Sequence, residues 1–170
     1  MKTSSKILLG ISIALLILLV TLFTQYLNET EPDLTEPQAR VMLDKLAKAF
    51  FHENVGEVLS FAAPDAKVAG RTLEQIRDYL RRAFSQSHNL EVRFRDVQYQ
   101  RHGNTVTLDA HAEAGERPPG SPNFTDTYYT QPVRFIVQKR STPFLGGLLR
   151  TNQWKIIEVE ATNLPHVEGF

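Results

Sequence analysis

The sequence predicts an α+β fold: three N-terminal helices packed on one curved, four-stranded antiparallel sheet, preceded by one transmembrane helix. Three observations carry this. Apolar residues recur at helical spacing between residues 36 and 86. From residue 89 onward the apolar period changes to two, over four successive runs. Ahead of both lies "ILLGISIALLILLVTLF", residues 7–23, which contains no charge.

That first run is at the short end of what crosses a bilayer core of ~30 Å. Thr24 to Leu27 extend it, with Tyr26 placed as an interfacial anchor. Lys2 and Lys6 precede the run, and Glu29, Glu31, Asp33 and Glu36 follow it. The positive-inside rule then puts residues 1–6 in the cytoplasm, a span at 7–27, and the rest of the chain outside, in the periplasm or the extracellular space. Secretion after signal cleavage is the alternative, but no small-x-small site follows in "TLFTQYLNET". Residues 28–35 are polar and acidic and read as a linker.

Thr35 reads as an N-cap, with Pro37 in the first turn and Gln38 completing a capping box. Met42, Leu43, Leu46, Ala47 and Phe50 form the apolar stripe of a helix that runs to about Glu53, with Asn54 and Gly56 ending it. A short helix around 57–61 stops before Pro64, and "DAKVAG" follows as an extended piece. Thr72 is a second N-cap, with Gln75 three residues on; Leu73, Ile76, Leu80, Ala83 and Phe84 mark the third helix. In the first strand Leu90, Val92 and Phe94 share a face, then Val97 and Tyr99 take over. A slip of one residue is the mark of a β-bulge, here near Arg95 and Asp96. "RHGN" is a tight turn, and Val106, Leu108, Ala110 and Ala112 alternate along the second strand. The third strand covers about 127–140, with Val133, Phe135 and Val137 on one face. "QWKIIEVEAT" is the fourth. Residues 36–162 thus form one folded domain, and 163–170 a flexible tail.

Composition excludes several functions. Lys plus Arg equals Asp plus Glu, 19 each, so nucleic acid is not expected as a partner. There is no cysteine, which removes disulfides, thiolate chemistry and Cys-ligated zinc. The five histidines, 52, 88, 102, 111 and 166, are not spaced three or four apart on a helix. No metal and no cofactor is expected, since there is neither an HExxH nor a P-loop. His52 suits a helix C-terminus. Asp109 and His111 share a strand face, but no nucleophile is spaced to join them. Arg77 and Arg81 belong to a basic stretch that suits an anionic or acidic partner, or simply forms a solvated helix face.

"LSFAAPDAKVAGRTLEQIRDYLRRAF" resembles the nuclear transport factor 2-like superfamily, which includes ketosteroid isomerase and scytalone dehydratase. Phe61, Ala62, Asp65, Ala66, Val68, Gly70, Ile76 and Tyr79 carry the resemblance, and "WKIIEVEA" is similar to the family's last strand. The resemblance implies a cone-shaped α+β fold. It also implies where isomerase residues would stand: a Tyr at Leu46, a general base at Gly70 and a strand Asp at Val133. None of the three can move a proton through its side chain, so no catalytic residue is carried over.

Two functions remain. One is a membrane-tethered binding or scaffold module, an architecture the resemblance extends to periplasmic domains of conjugative secretion scaffolds. The other is a lyase or isomerase acting on a small apolar ligand in the cone, with Asp65, Tyr79, Tyr99 and Asp109 as its candidates. The stretch "STPFLGGLLR", residues 141–150, is expected as an apolar loop. Phe144, Leu145, Leu148 and Leu149 would cap the domain, bind a protein partner or meet lipid. The sheet face is a second surface for a partner or a homodimer.

Overall fold

The computed structural model describes residues 16–18, 33–86, 90–116, 126–144, 149–162 and 164. The chain divides into two compact units, Met1–Asp33 with Arg140–Gln153, and Leu34–Lys139 with Trp154–Phe170. In the first, the described residues comprise a helical piece at 16–18, Asp33 and the ends of two strands. Leu16, Ile17 and Leu18 are exposed. Among the described residues no helix is long and apolar enough to cross a membrane. The remainder of the expected span at 7–27 lies outside the described residues.

The second unit opens with helix α1, Glu36–Phe51. Its start follows from chemistry: the Thr35 N–H and Oγ1 each donate to Gln38 Oε1 at 2.9 Å, and Pro37 supplies the fixed φ of a first turn. Leu34, just before the cap, is buried together with Ala39, as in a hydrophobic staple. Ala39, Leu43, Leu46 and Ala49 form the buried stripe. Asn54 takes part in the stop as expected, its N–H donating to the Ala49 carbonyl at 3.2 Å, whereas Gly56 lies inside the next helix. Glu53 turns to a φ of 53°, and Asn54 also begins α2, Val55–Ser60, its Oδ1 accepting from the Glu57 N–H at 3.1 Å. A short carboxamide serves a helix start better than a stop.

Six strands follow or interleave: β1 Ala62–Val68, β2 Arg71–Thr72, β3 Leu90–His102, β4 Thr105–Glu116, β5 Asp126–Phe144 and β6 Leu149–Ala161. Helix α3, Leu73–Gln86, lies between β2 and β3, entered through Thr72, whose N–H donates to Gln75 Oε1 at 3.0 Å. The sheet order is β2-β1-β6-β5-β4-β3. This corrects the expected four-stranded antiparallel sheet. The piece read only as extended is strand β1, and it pairs in parallel with β6. A parallel pair needs a long crossover, and here α3 and four strands, β2 to β5, intervene. Its pairing partner is too far along the chain for local periodicity to report. Ala69 and Gly70 link β1 to β2 with φ values of 48° and 77°, the pair of positive φ values that a two-residue hairpin turn requires.

The predicted bulge is present. Arg95 stands opposite His111, and Gln98 opposite Asp109, so three steps on β3 match two on β4. Asp96 absorbs the extra residue at a φ of 52°. Beyond it Val97 turns inward and is buried. The "RHGN" turn forms as expected, with His102 opposite Thr105 and Gly103 at a φ of 61°. Strands β5 and β6 run further than expected into "STPFLGGLLR", leaving only residues 145–148 between them. Leu145 and Leu148 lie outside the described residues, as do the side chains of Phe144 and Leu149.

The inner sheet face and all three helices share one core, in which Leu43, Val106, Leu108 and Val137 are fully buried.

Candidate apolar cavity

Along β4 the inward residues run Val106, Leu108, Ala110, Ala112, Ala114, from large to small. The large end is filled. At the small end the helices and sheet fail to close, because a methyl group leaves space that a leucine would occupy. The result is a cavity of about 510 Å³, a size that suits a small organic ligand. Five alanines line it: Ala62, Ala83, Ala112, Ala114 and Ala161. Its larger walls are Leu46 and Phe50 of α1, Ile76 and Leu80 of α3, and Phe94, Val133, Phe135 and Ile156 of the sheet. Phe94 and Phe135 meet edge to face with centroids 5.3 Å apart, which fixes that wall. Ile156 and Val159 both line the cavity although three residues apart, so the alternation of β6 slips once between them. Leu164, beyond the last strand, also lines it and is half-buried.

Among the described residues that line the cavity, only Tyr79 and Tyr129 carry a polar side-chain atom. Burial, then the neighbouring Tyr129, push the Tyr79 phenol up to about 12, against an opposing pull from the Arg71 charge. Burial likewise raises Tyr129, and the hydrogen bond from Gln131 works against that rise. Gln131 Nε2 donates to the Tyr129 hydroxyl. Both phenols are therefore neutral at physiological pH. They can donate hydrogen bonds into an apolar space, but they cannot accept a proton as a general base.

Of the four enzyme candidates only Tyr79 reaches this cavity. Asp65 is exposed on β1. The Tyr99 hydroxyl donates to the Leu34 carbonyl at 2.6 Å, which ties β3 to the entry of α1. Asp109 accepts from Arg134 Nε at 2.7 Å on the outer sheet face, and Glu160 pairs with the same arginine at 3.5 Å. His111 shares that outer face, between Arg95 and Pro132. Leu46 and Val133 line the cavity, whereas Gly70 sits exposed in the β1–β2 turn. Arg77 and Arg81 are exposed on α3, Arg81 lying 3.7 Å from Asp78. His52 is the C-cap of α1. Among the described residues no cluster of His, Asp and Glu could hold a metal ion.

Tyr129 was legible and missed. It stands on β5 at an even spacing from Val133, Phe135 was already read two residues further on the same face, and extending that alternation backward reaches Gln131 and Tyr129.

No protein-family model matches the chain, and no curated protein matches its sequence. Solved structures do match the fold. Bd1075 of Bdellovibrio bacteriovorus superposes with a TM-score of 0.56 at 11% identity, covering 78% of this chain and 41% of that one. This chain thus spans about two fifths of the Bdellovibrio protein. A Nostoc punctiforme protein of unknown function with a cystatin-like fold gives 0.55 at 14% identity, covering 79% and 96% of the two chains. An NTF2-like protein of unknown function from Pseudomonas putida gives 0.50 at 12% identity, covering 78% and 92%. The chain has the α+β fold of cystatin-like and nuclear transport factor 2-like proteins.

Proposed function

We propose that the chain is a membrane-tethered, extracytoplasmic binding module whose cavity takes a small apolar molecule. The observation that supports binding is the cavity itself: about 510 Å³ of alanine- and phenylalanine-lined space whose polar atoms are two neutral phenols. Close-packed interiors rarely keep such a space without an occupant. The tether rests on the uncharged run at 7–23 and on the lysines and acids that flank it. The direct tests are two. Native mass spectrometry of the full chain, released from gently extracted membranes, is expected to show a bound small molecule that organic solvent removes. A reporter fused after Phe170 is expected to be active only outside the cytoplasm, and activity confined to the cytoplasm would remove the tethered topology.

The enzyme reading, a lyase or isomerase with a divergent residue set, draws support from the same two tyrosines. Among the described residues that line the cavity it finds no base: Asp65 and Asp109 lie away from the cavity, and the Tyr79 phenol is pushed up to about 12. Binding without turnover is the better account. A scaffold role adds a protein partner or a second copy at the outer sheet face or the 141–150 stretch. A Phe144→Ser, Leu148→Ser double variant with altered self-association in sedimentation would support that addition.

A further inference from the structure

We propose that the cavity's ligand is an apolar monocarboxylate of the free fatty acid class, its carboxylate lying at the Tyr79 and Tyr129 end beside Arg71. The inference rests on the binding reading above and names its ligand. Three observations carry it. First, the described lining offers hydrogen-bond donors from two phenols and contains no acidic side chain, so its polar end suits an acceptor. Second, a cation stands at that end. Arg71 lies in β2, opposite Val68, and two residues before Leu73, and both of those line the cavity. Arg71 is half-buried and its Nη1 is shielded from solvent. Third, its charge reaches the cavity's polar end, since Tyr79 feels it against the effect of burial.

A carboxylate is costly to bury unless it is paired and hydrogen-bonded. An arginine fork with two phenolic donors meets that need, and guanidinium geometry matches a carboxylate better than an ammonium does. A ligand amine would be repelled by Arg71. A ligand alcohol would gain the phenols but little from the guanidinium. The remaining wall is apolar throughout and suits an alkyl chain or fused rings.

The test uses the full chain in lipid nanodiscs and three photoreactive probes of one chain length: a dodecanoic acid, a dodecanol and a dodecylamine, each with a terminal diazirine. Crosslinked peptides are mapped by mass spectrometry. The acid is expected to label the cavity-lining peptides of β4 and β5 at least fivefold more than the alcohol, and the amine least. Unlabelled laurate is expected to compete. Arg71→Met is expected to bring acid labelling down to the alcohol's level while leaving alcohol labelling unchanged, and Arg71→Lys to keep part of the preference. Equal labelling by acid and alcohol in the wild type, or an amine preference, would overturn the inference and leave the binding reading standing. The wild-type comparison decides the matter even if Arg71→Met does not fold. Absence of cavity labelling by all three probes would overturn the binding reading as well.

Discussion

Arg40 Nη2 donates to the Val97 carbonyl at 2.8 Å, immediately after the residue on which β3 bulges. The same guanidinium pairs with Glu36 at 2.8 Å. One side chain therefore ties the first turn of α1 to the point where the sheet changes phase. The bulge lets Phe94 line the cavity on one side and Val97 fill the core on the other.

The bulge and its tie are separable by mutation. Asp96 holds a φ of 52°, a region that costs ~1–2 kcal/mol for most residues and that Asp and Gly tolerate best. Asp96→Gly is expected to leave the thermal midpoint nearly unchanged. Asp96→Val is expected to cost ~1–2 kcal/mol, because a β-branched residue is a poor fit to positive φ. Arg40→Met is expected to cost ~1 kcal/mol through the lost charge-assisted hydrogen bond. Glu36→Gln, which breaks only an exposed pair, is expected to cost less than ~0.5 kcal/mol.

Core substitutions are expected to differ according to what they face. Leu43 is packed on all sides and fully buried, so Leu43→Ala is expected to cost ~3–5 kcal/mol. Leu80 is also buried but lines the cavity. One of its sides already lacks partner atoms, so Leu80→Ala is expected to fall near the low end of the range, ~2–3 kcal/mol. Chemical denaturation of both variants checks the ordering; equal costs would argue that the cavity is packed shut in solution.

Tyr79 imposes a pH dependence with a definite sign. Its folded value, about 12, exceeds the ordinary 10.0. The neutral phenol is favoured in the folded state, so its contribution to stability is complete below pH 10 and is lost as pH rises through 10 to 12. The wild type is expected to lose more stability than Tyr79→Phe between pH 9.5 and 11.5. Ultraviolet titration of the five tyrosines is expected to show at least one phenol ionising well after the others. A single titration near 10 would contradict the buried placement of Tyr79.

Leu164 makes a kinetic prediction. It is half-buried, lies past the end of β6 and lines the cavity, so it stands between the cavity and solvent. Leu164→Ala is expected to remove ~1–1.5 kcal/mol of apolar contact. That corresponds to roughly tenfold weaker binding of an apolar ligand, expressed mainly as faster release. Stopped-flow displacement measures it.

Much of this fold was legible because it is written locally. Thr35 with Gln38 and Thr72 with Gln75 are capping boxes whose two members stand three residues apart, and both form. The slip from Phe94 to Val97 is a change of phase within one strand, and it forms as a bulge. What escaped depends on residues distant in the chain. Strand β1 carries Pro64 and Asp65 and shows no alternation; its identity comes from pairing with β6. Asn54 was read as the end of one helix; its N–H serves that end and its side chain starts the next helix at the Glu57 N–H, so one residue does both. An apolar space in the cone was one of the expectations, but its position and walls were hidden for another reason. Ala112 reads as a core residue, which it is, but side-chain volume summed across strands and helices determines whether a core closes. Periodicity shows which residues face inward, not whether their volumes together fill the space.

That volume is what the most direct measurement addresses. We propose the alanine-lined space as a ligand site. The photoreactive dodecanol probe, being neutral, tests it without reference to Arg71. In lipid nanodiscs the wild-type full chain is expected to be labelled saturably on peptides containing Ala112 and Val133. An Ala112→Leu, Ala114→Leu variant, which narrows the space, is expected to lose much of that labelling while its thermal midpoint stays the same or rises. Equal labelling of the folded wild type and the folded double-leucine variant would contradict this reading.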